Sequence, residues 1–428
     1  MTQLDSIRAA GRGRRPAARA MHLLCVLALL VGGGLMAAPS AAADPASVKA
    51  QEWWIGTLGL EQVWQLSKGA GVTVAVLDSG VEASVGDLQG AVVPGFDAVG
   101  SGNGEHDTDA KEYHGTRMAS LIAGRGVSPG VVGVAPAAKI LPVVVPGRAG
   151  SDNDVAALNR LSAMSRPPQV VNMSFGGAGD CPDNLQTAVK TAVDKGMILV
   201  SAAGNEGSTT NDSEFPSNCA GVISVGAYGA YGTGGTQIKA WPDSQRQSYV
   251  SLAGPGIKMI GYAPSGTTYG TGTSDAAAIV SGSIADVRAR FPSMPSRQLV
   301  ARMIATARQF QGAKGTHNSV FGWGAARPHH AITDTVPANA PNPIYDKLDK
   351  IGGGQSSGEA PTSNPPTNGT TINAPGPSSS GALAGGSGSG SSSSSSGVII
   401  GVLVAVLIIA AIVITVLVRG RRNPARLR

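Results

Sequence analysis

Apolar and polar positions follow two different spacings along the middle of the chain, from about residue 71 to residue 306. Short apolar runs that end in Gly, Ser or Asn are typical of strands buried on both faces. Five segments show this pattern, at 73–77, 140–145, 170–173, 198–202 and 222–225. Apolar residues spaced three and four apart indicate helices at 114–123, 154–164 and 185–194. This alternation predicts an α/β fold, in which helices cover both faces of a doubly wound, mostly parallel sheet.

The N-terminal end of the chain differs in composition from this middle part. Residues 1–43 combine an arginine-rich head, an apolar stretch and three consecutive alanines, which is typical of a secretory signal peptide. We expect cleavage near Ala43, and an uncleaved membrane anchor is the alternative. Residues 44–70 then form an N-terminal arm ahead of a globular domain at 71–336.

The C-terminal part of the chain predicts a tether and a membrane anchor. Residues 337–397 are dominated by Pro, Gly, Ser and Thr and bury too little apolar surface to fold, so we expect a flexible linker. Residues 398–418 carry no charge and as a transmembrane helix would span about 32 Å, which matches a bilayer core. The five arginines of the tail at 419–428 predict a cytoplasmic end. The sequence therefore predicts a single-pass protein of the cell membrane whose large domain is extracytoplasmic.

The net charge of +6 comes from the two ends of the chain. Residues 1–43 carry +4 and residues 419–428 carry +5, so the part between them carries −3. A basic surface on the large domain is therefore not expected, and no nucleic-acid partner is predicted.

Two cysteines would remain after removal of the signal peptide, which contains Cys25. In an oxidising compartment, the simple prediction is that Cys181 and Cys219 form a disulfide. Such a bond would close a loop of about 40 residues and contribute at most about 4 kcal/mol. Two buried thiols are the alternative.

Three motifs supply an acid, an imidazole and a hydroxyl in the chain order Asp78, His114 and Ser274. A serine hydroxyl is a weak nucleophile unless an imidazole takes its proton, and a carboxylate must fix the tautomer of that imidazole. Each motif alone is weak, since Asp-Ser-Gly and Gly-Thr-Ser are common in turns and at helix starts. Together they predict a serine peptidase that acts on proteins or peptides and needs no cofactor or metal.

Further segments predict how a substrate is held. Asn205 follows a predicted strand, and its amide can donate to the oxyanion of a tetrahedral intermediate, although Asn-Glu-Gly is also a common turn. Ser174, Phe175 and Gly176 end another strand, where an extended peptide can pair by β-augmentation, and a plain strand-ending turn is the alternative. Asp107, Asp109 and Glu112 leave a calcium site open, although such acidic clusters more often form a solvated loop than a set of ligands.

These motifs resemble those of the subtilisin-like peptidases, the subtilases, over about residues 70–330. The resemblance implies the subtilisin-like fold and the same chain order of catalytic groups. By position, it implies a catalytic triad of Asp78, His114 and Ser274, an oxyanion donor in Asn205, a substrate-pairing strand at Ser174, Phe175 and Gly176, and a wall of the primary specificity pocket at Ala203 and Gly204.

The order of segments is similar to that of the mycosins, membrane-anchored subtilases that accompany type VII secretion systems. Trp53 and Trp54, ahead of the domain, and the positions of Cys181 and Cys219 strengthen this likeness. It implies an extracytoplasmic serine endopeptidase bound to the membrane through one C-terminal helix, with type VII secretion machinery as a partner. The alternative is a structural component of a membrane secretion complex, with weak or dispensable proteolysis.

Three positions depart from the subtilase pattern. Ala278 stands where Pro is common, Asp275 replaces an apolar residue, and Arg117 replaces a second His. A carboxylate beside Ser274 is expected to raise the pKa of the base or to disfavour the oxyanion, whereas Arg117 is expected to matter less for the chemistry. The arm at 44–70 is too short for the folded inhibitory prodomain of many subtilases, which predicts folding without one or with a short wrapping arm.

Overall fold

The computed structural model describes residues 45–127, 130–146, 151–231, 237–310 and 315–352. The predicted signal peptide at 1–43, the predicted membrane helix at 398–418 and the predicted basic tail at 419–428 lie outside the described residues. Within the described residues, no helix combines the length and the apolar composition needed to cross a bilayer.

The elements agree closely with the predicted ones where the apolar pattern is regular. The helices are α1 (Pro45–Gln51), α2 (Trp54–Leu58), α3 (Leu60–Val63), α4 (His114–Ala123), α5 (Ser151–Ser162), α6 (Asp183–Asp194), α7 (Thr273–Arg290), α8 (Ser296–Ala305), α9 (Pro328–Thr333) and α10 (Pro343–Gly352). The strands are β1 (Thr73–Asp78), β2 (Phe96–Asp97), β3 (Lys139–Val144), β4 (Val170–Met173), β5 (Gly177–Ala178), β6 (Ile198–Ala202), β7 (Glu214–Phe215), β8 (Val222–Tyr231), β9 (Gln237–Ala240), β10 (Val250–Pro255), β11 (Met259–Ala263) and β12 (Gly266–Gly270). The predicted helix at 114–123 and the predicted strands at 170–173 and 198–202 have the observed bounds.

One sheet dominates the fold and confirms the predicted α/β class. Its strands lie in the order β10-β8-β6-β4-β1-β3-β2, and every neighbouring pair in this order is parallel. β9 extends the sheet by pairing antiparallel with β8. The carboxyl ends of the parallel strands therefore lie along a common edge.

Helices cover both faces of this sheet, as predicted. Val74 and Val76 of β1 pack into the hydrophobic core that contains α4 and α7, whereas Ala75 and Leu77 pack into the core that contains α5 and α6. All four side chains are fully buried. Alternate residues of a strand point to opposite faces, so an apolar run without alternation is what a strand between two helical layers requires.

Small side chains allow α7 to approach the sheet closely. Ala276, Ala277 and Ala278 are fully buried, and a Cβ atom added to Gly254 of β10 would lie 2.8 Å from the carbonyl oxygen of Ala276. This close packing fixes the N-terminus of α7, and Ser274 with it.

The N-terminal arm is an integral part of the folded domain. Its helices α2 and α3 contribute Trp54, Leu60 and Val63 to the hydrophobic core, all fully buried. The indole Nε1 of Trp64 donates to the carbonyl oxygen of Val134 at 2.8 Å. The residues between the predicted signal peptide and the first strand therefore stabilise the domain.

The folded part of the chain extends into the predicted linker at 337–397. Helix α10 buries Tyr345 and Leu348 against the domain, and Arg297 of α8 pairs with Asp346 at 3.0 Å. The prediction that the linker begins at residue 337 is therefore wrong for this stretch. Its Pro- and Asn-rich beginning concealed the short amphipathic helix that follows.

The cysteine prediction is confirmed. Cys181 and Cys219 form a disulfide, with their Cα atoms 5.1 Å apart. The bond joins the segment ahead of α6 to the segment ahead of β8.

Candidate active site

Two strand ends and two helix starts line an open cavity of about 320 Å³. The chain leaves β4 at Ser174 and β6 at Ala203, on the carboxyl-end edge of the sheet, where the sites of parallel sheets form. His114, at the start of α4, and Ser274, in the first turn of α7, line the same cavity as Asn205. The structure thus brings these three predicted site residues together.

Asp78 lies behind His114 and holds its ring. The Nδ1 atom of His114 lies 2.8 Å from each carboxylate oxygen of Asp78. The backbone N–H and the hydroxyl of Ser79 also donate to Oδ1 of Asp78, at 2.8 and 3.2 Å. A buried carboxylate with several donors has a fixed orientation, so it fixes the imidazole as well.

A close backbone contact sets where α4 begins. A Cβ atom added to Gly115 would lie 2.1 Å from the carbonyl oxygen of Gly80, and the N–H of Gly115 donates to the Ser79 hydroxyl at 3.1 Å. Only glycine allows the helix start to approach the turn after β1 so closely. This contact brings His114 within reach of Asp78.

The environment of His114 suits a general base. Burial of the imidazole lowers its pKa, but the charge and the hydrogen bond of Asp78 together outweigh burial, so that the pKa of His114 is raised from its usual value. The ring side chain is 11% exposed. It is therefore accessible from the cavity while being held from behind.

Ser274 occupies the first turn of the 18-residue helix α7. Its hydroxyl donates to the carbonyl oxygen of Ser174 at 2.9 Å, and the Ser174 hydroxyl donates to the carbonyl oxygen of Ser274 at 2.9 Å. These two bonds tie the start of α7 to the end of β4. The unpaired N–H groups of a helix start favour negative charge beside Ser274.

Asn205 is oriented by Thr273. Its Oδ1 atom accepts from the backbone N–H and the hydroxyl of Thr273, at 3.0 and 2.8 Å. The Thr273 hydroxyl also accepts from the N–H of Gly204 at 3.1 Å. Because Oδ1 is occupied in this way, Nδ2 is the atom of the Asn205 amide that is positioned to donate.

The two predicted substrate-binding segments both reach the cavity. Ser174, Phe175 and Gly176 line it after β4, and Gly204 lines it after β6. Ala203 is fully buried, and its neighbour Ala202 lines the cavity instead. The alternation of side chains at the end of a strand accounts for this difference of one residue.

Arg117 and Asp275, two of the departures from the subtilase pattern, form one ion pair. Arg117 Nη1 donates to Asp275 Oδ1 across α4 and α7, and the side chains are 11% and 1% exposed. The aliphatic part of the Arg117 side chain lies against Gly261 of the β11–β12 hairpin, and its guanidinium lies against Gly270. Asp275 raises the pKa of His114 and Arg117 lowers it. The carboxylate beside the nucleophile is therefore paired with Arg117.

Glu214 is a site residue that the sequence did not reveal. It lines the cavity although only 8% of the residue is exposed, and Gln245 Nε2 donates to its Oε1 at 3.0 Å. Burial and a hydrogen bond with Glu206 raise the pKa of Glu214 to about 7. Glu214 belongs to the two-residue strand β7, which is too short to show any periodic pattern.

The acidic loop ahead of α4 has a structural role. Asp107 Oδ2 accepts from the backbone N–H of Thr116 at 2.9 Å and from its hydroxyl at 2.6 Å. Asp107 is buried, so it is not the solvated loop residue that the sequence predicted.

The chain matches known peptidases in sequence and in fold. The family model described as Subtilase family matches residues 69–324. Fervidolysin from Fervidobacterium pennivorans is 31% identical, over 67% of this chain and 44% of its own length. MycP1 from Mycobacterium smegmatis is 26% identical with a TM-score of 0.56, over 72% of this chain and 89% of that one. MycP3 from the type VII (ESX-3) secretion system is 28% identical with a TM-score of 0.54, over 70% and 90%. The chain spans about half the length of the curated relatives it matches.

Proposed function

We propose that this chain, which belongs to the subtilase family, is a serine endopeptidase with Ser274 as its nucleophile. The observation that carries the proposal is the Asp78–His114 pair, held at 2.8 Å beside the cavity that Ser274 also lines. A carboxylate, an imidazole and a hydroxyl at one site are the groups needed to activate a serine.

Each group has one task in the proposed reaction. Ser274 Oγ attacks the scissile carbonyl, and His114 takes the hydroxyl proton and later gives it to the leaving amine. Asp78 stays ionised and stabilises the imidazolium that forms between these steps. Asn205 Nδ2 and the N–H of Ser274 donate to the oxyanion. A water molecule then attacks the acyl-enzyme, with His114 again taking and returning the proton, and the acyl group leaves Ser274.

The hydrogen bond between Ser274 and Ser174 is a resting arrangement in this proposal. Rotation about the Cα–Cβ bond of Ser274 frees the Ser174 carbonyl and turns the hydroxyl towards His114. Hydrogen bonds of catalytic groups are often formed only when substrate is present. The freed carbonyl can then accept from the N–H of an extended substrate, as β-augmentation requires.

The proposal places the enzyme at the outer face of a membrane, beside a type VII secretion system. It is supported by the composition of residues 1–43 and 398–428 and by the likeness to MycP1 and MycP3. Proteinase treatment of intact cells tests this topology. We expect the catalytic domain to be degraded while an epitope tag placed after residue 428 stays protected.

Labelling with a fluorophosphonate probe tests the chemistry. In membranes that carry the full chain, the probe should label the wild type, and the label should disappear in Ser274→Ala. Ser283→Ala is a matched control on the same helix, because its hydroxyl only donates to the carbonyl of Ile279. A folded wild-type chain that stays unlabelled would contradict the proposal.

The second candidate function is a structural role in a secretion complex. It is favoured by the hydroxyl of Ser274, which donates to Ser174 in an arrangement that does not activate it. A secretion assay separates the two functions. If Ser274→Ala supports secretion while deletion of residues 44–428 abolishes it, the structural role prevails.

A further inference from the structure

The carboxylate of Glu214 lies against two glycines that line the cavity. A Cβ atom added to Gly176 would lie 2.4 Å from Glu214 Oε2, and one added to Gly204 would lie 2.5 Å from Glu214 Oε1. These glycines follow the ends of β4 and β6, and both line the cavity. The Glu214 carboxylate therefore forms the floor of the slot between them.

The position of Glu214 is fixed by its own partners. Gln245 Nε2 donates to Oε1 at 3.0 Å, and the backbone N–H of Glu214 donates to the Tyr249 hydroxyl at 3.1 Å. In the pairing of β7 with β5, Glu214 lies opposite Ala178. The side chain is thus held at the floor and does not swing into solvent.

The cationic side chains at this cavity are already paired with other carboxylates. Arg117 pairs with Asp275, and His114 pairs with Asp78. In the part of the chain that the structure describes, no ion pair joins either of them to Glu214.

The charged groups nearest to Glu214 are negative. Glu206 shares a hydrogen bond with it, and Glu206 and Asp212 both disfavour its ionised form by their charge. Tyr249 is the other titratable group in contact with it. A buried carboxylate that faces like charge is costly, and a cation entering the slot would remove that cost.

We infer that the slot selects a lysine or arginine as the substrate residue that contributes the scissile carbonyl, with Glu214 as the group that binds it. The inference rests on the proposed peptidase activity and names its substrate class. The register follows from Gly204, because the next residue is Asn205, the proposed donor to the oxyanion that forms on the scissile carbonyl. The side chain next to that carbonyl enters between Gly176 and Gly204.

Fluorogenic peptides that differ only at this residue test the inference on the full chain in detergent. We expect kcat/KM for Arg and Lys substrates to exceed that for Gln and Leu substrates at least tenfold. Glu214→Gln keeps the size of the side chain and should remove this preference. Asp212→Asn is the matched control, because it removes an exposed carboxylate from the same segment and should keep the preference.

The pH dependence of the preference provides a second readout. The pKa of Glu214 is about 7, raised by burial and by Glu206, so the carboxylate is mostly neutral at pH 6 and mostly ionised at pH 8. The ratio of kcat/KM for Arg and Gln substrates should therefore rise over this range. Protonation of His114 affects both substrates equally and cancels in the ratio. In Glu214→Gln the ratio should be flat.

The outcomes separate this inference from the proposed function. A chain that cleaves Leu substrates as well as Arg substrates, with no effect of Glu214→Gln on the ratio, overturns the specificity and leaves the peptidase intact. Absence of cleavage together with absence of fluorophosphonate labelling overturns both.

Discussion

At the scale of single residues, the Arg117–Asp275 pair explains two departures from the subtilase pattern at once. We predict that Arg117→Met and Asp275→Leu each reduce the free energy of unfolding by about 3 kcal/mol, since each leaves a buried charge without its partner. The double variant should lose much less than the sum, because apolar side chains replace the whole pair. Urea unfolding of the wild type, the two single variants and the double variant measures this coupling. Additive losses would mean that the two side chains act independently.

Asp78 provides a second prediction at this scale. Asp78→Asn should lower kcat by about 10⁴-fold, because an amide no longer fixes the tautomer or stabilises the imidazolium. Asp78 raises the pKa of His114 against the effect of burial, so the acid limb of the remaining activity should move to lower pH. A pH–rate profile measures the shift. An unchanged acid limb would show that another group controls His114.

At the scale of elements, the contact between α4 and the turn after β1 aligns the site. Gly115→Ala should displace the start of α4, since its Cβ atom meets the backbone carbonyl of Gly80 at 2.1 Å. We expect loss of at least 90% of the activity and about 1 to 3 kcal/mol of stability. Gly56→Ala on α2 is the matched control, with no atom within 4 Å of its added Cβ. Thermal unfolding and peptide hydrolysis of both variants test this prediction. Equal effects of Gly115→Ala and Gly56→Ala would contradict the role of the Gly115–Gly80 contact.

Helix α10 predicts where the folded part ends. A chain from residue 44 to 352 should be more stable than one ending at 336, because the shorter chain loses the burial of Tyr345 and Leu348. Burial of one such side chain contributes about 2 to 5 kcal/mol. Differential scanning calorimetry of the two chains tests this, and equal unfolding temperatures would restore the linker boundary at 337.

The sequence predicted the elements and site residues that have local signals. Strands β4 and β6 are continuous apolar runs, and Asp78 lies in a recognisable local motif. The two-residue strands lack such a signal, because their pairing depends on distant segments. The same reason hid the partner of Arg117, which lies 158 residues away, and hid Glu214 at the cavity floor.

At the scale of the whole molecule, burial of carboxyl groups gives stability a distinct pH dependence. Burial raises the pKa of Glu52 to about 8, of Asp87 to about 6 and of Glu214 to about 7, despite backbone or side-chain hydrogen bonds to each. Burial also raises the pKa of Asp286 well above its usual value. Glu82 shifts the other way, mainly through a hydrogen bond from Ser84, but it lies nearer the surface.

We therefore predict that the domain is more stable in mild acid than in mild base. A group whose pKa is higher in the folded than in the unfolded chain holds its proton more tightly when folded, so the free energy of unfolding falls as pH rises between the two values. For Glu52 this range runs from 4.5 to about 8. The unfolding temperature of the chain from 44 to 352 should drop by about 5 °C or more between pH 5.5 and 8.5. Glu52→Gln should reduce the drop, because it removes the carboxyl group whose pKa burial raises to about 8. An unfolding temperature that rises over this range would show that these carboxyl groups are ionised in the folded chain.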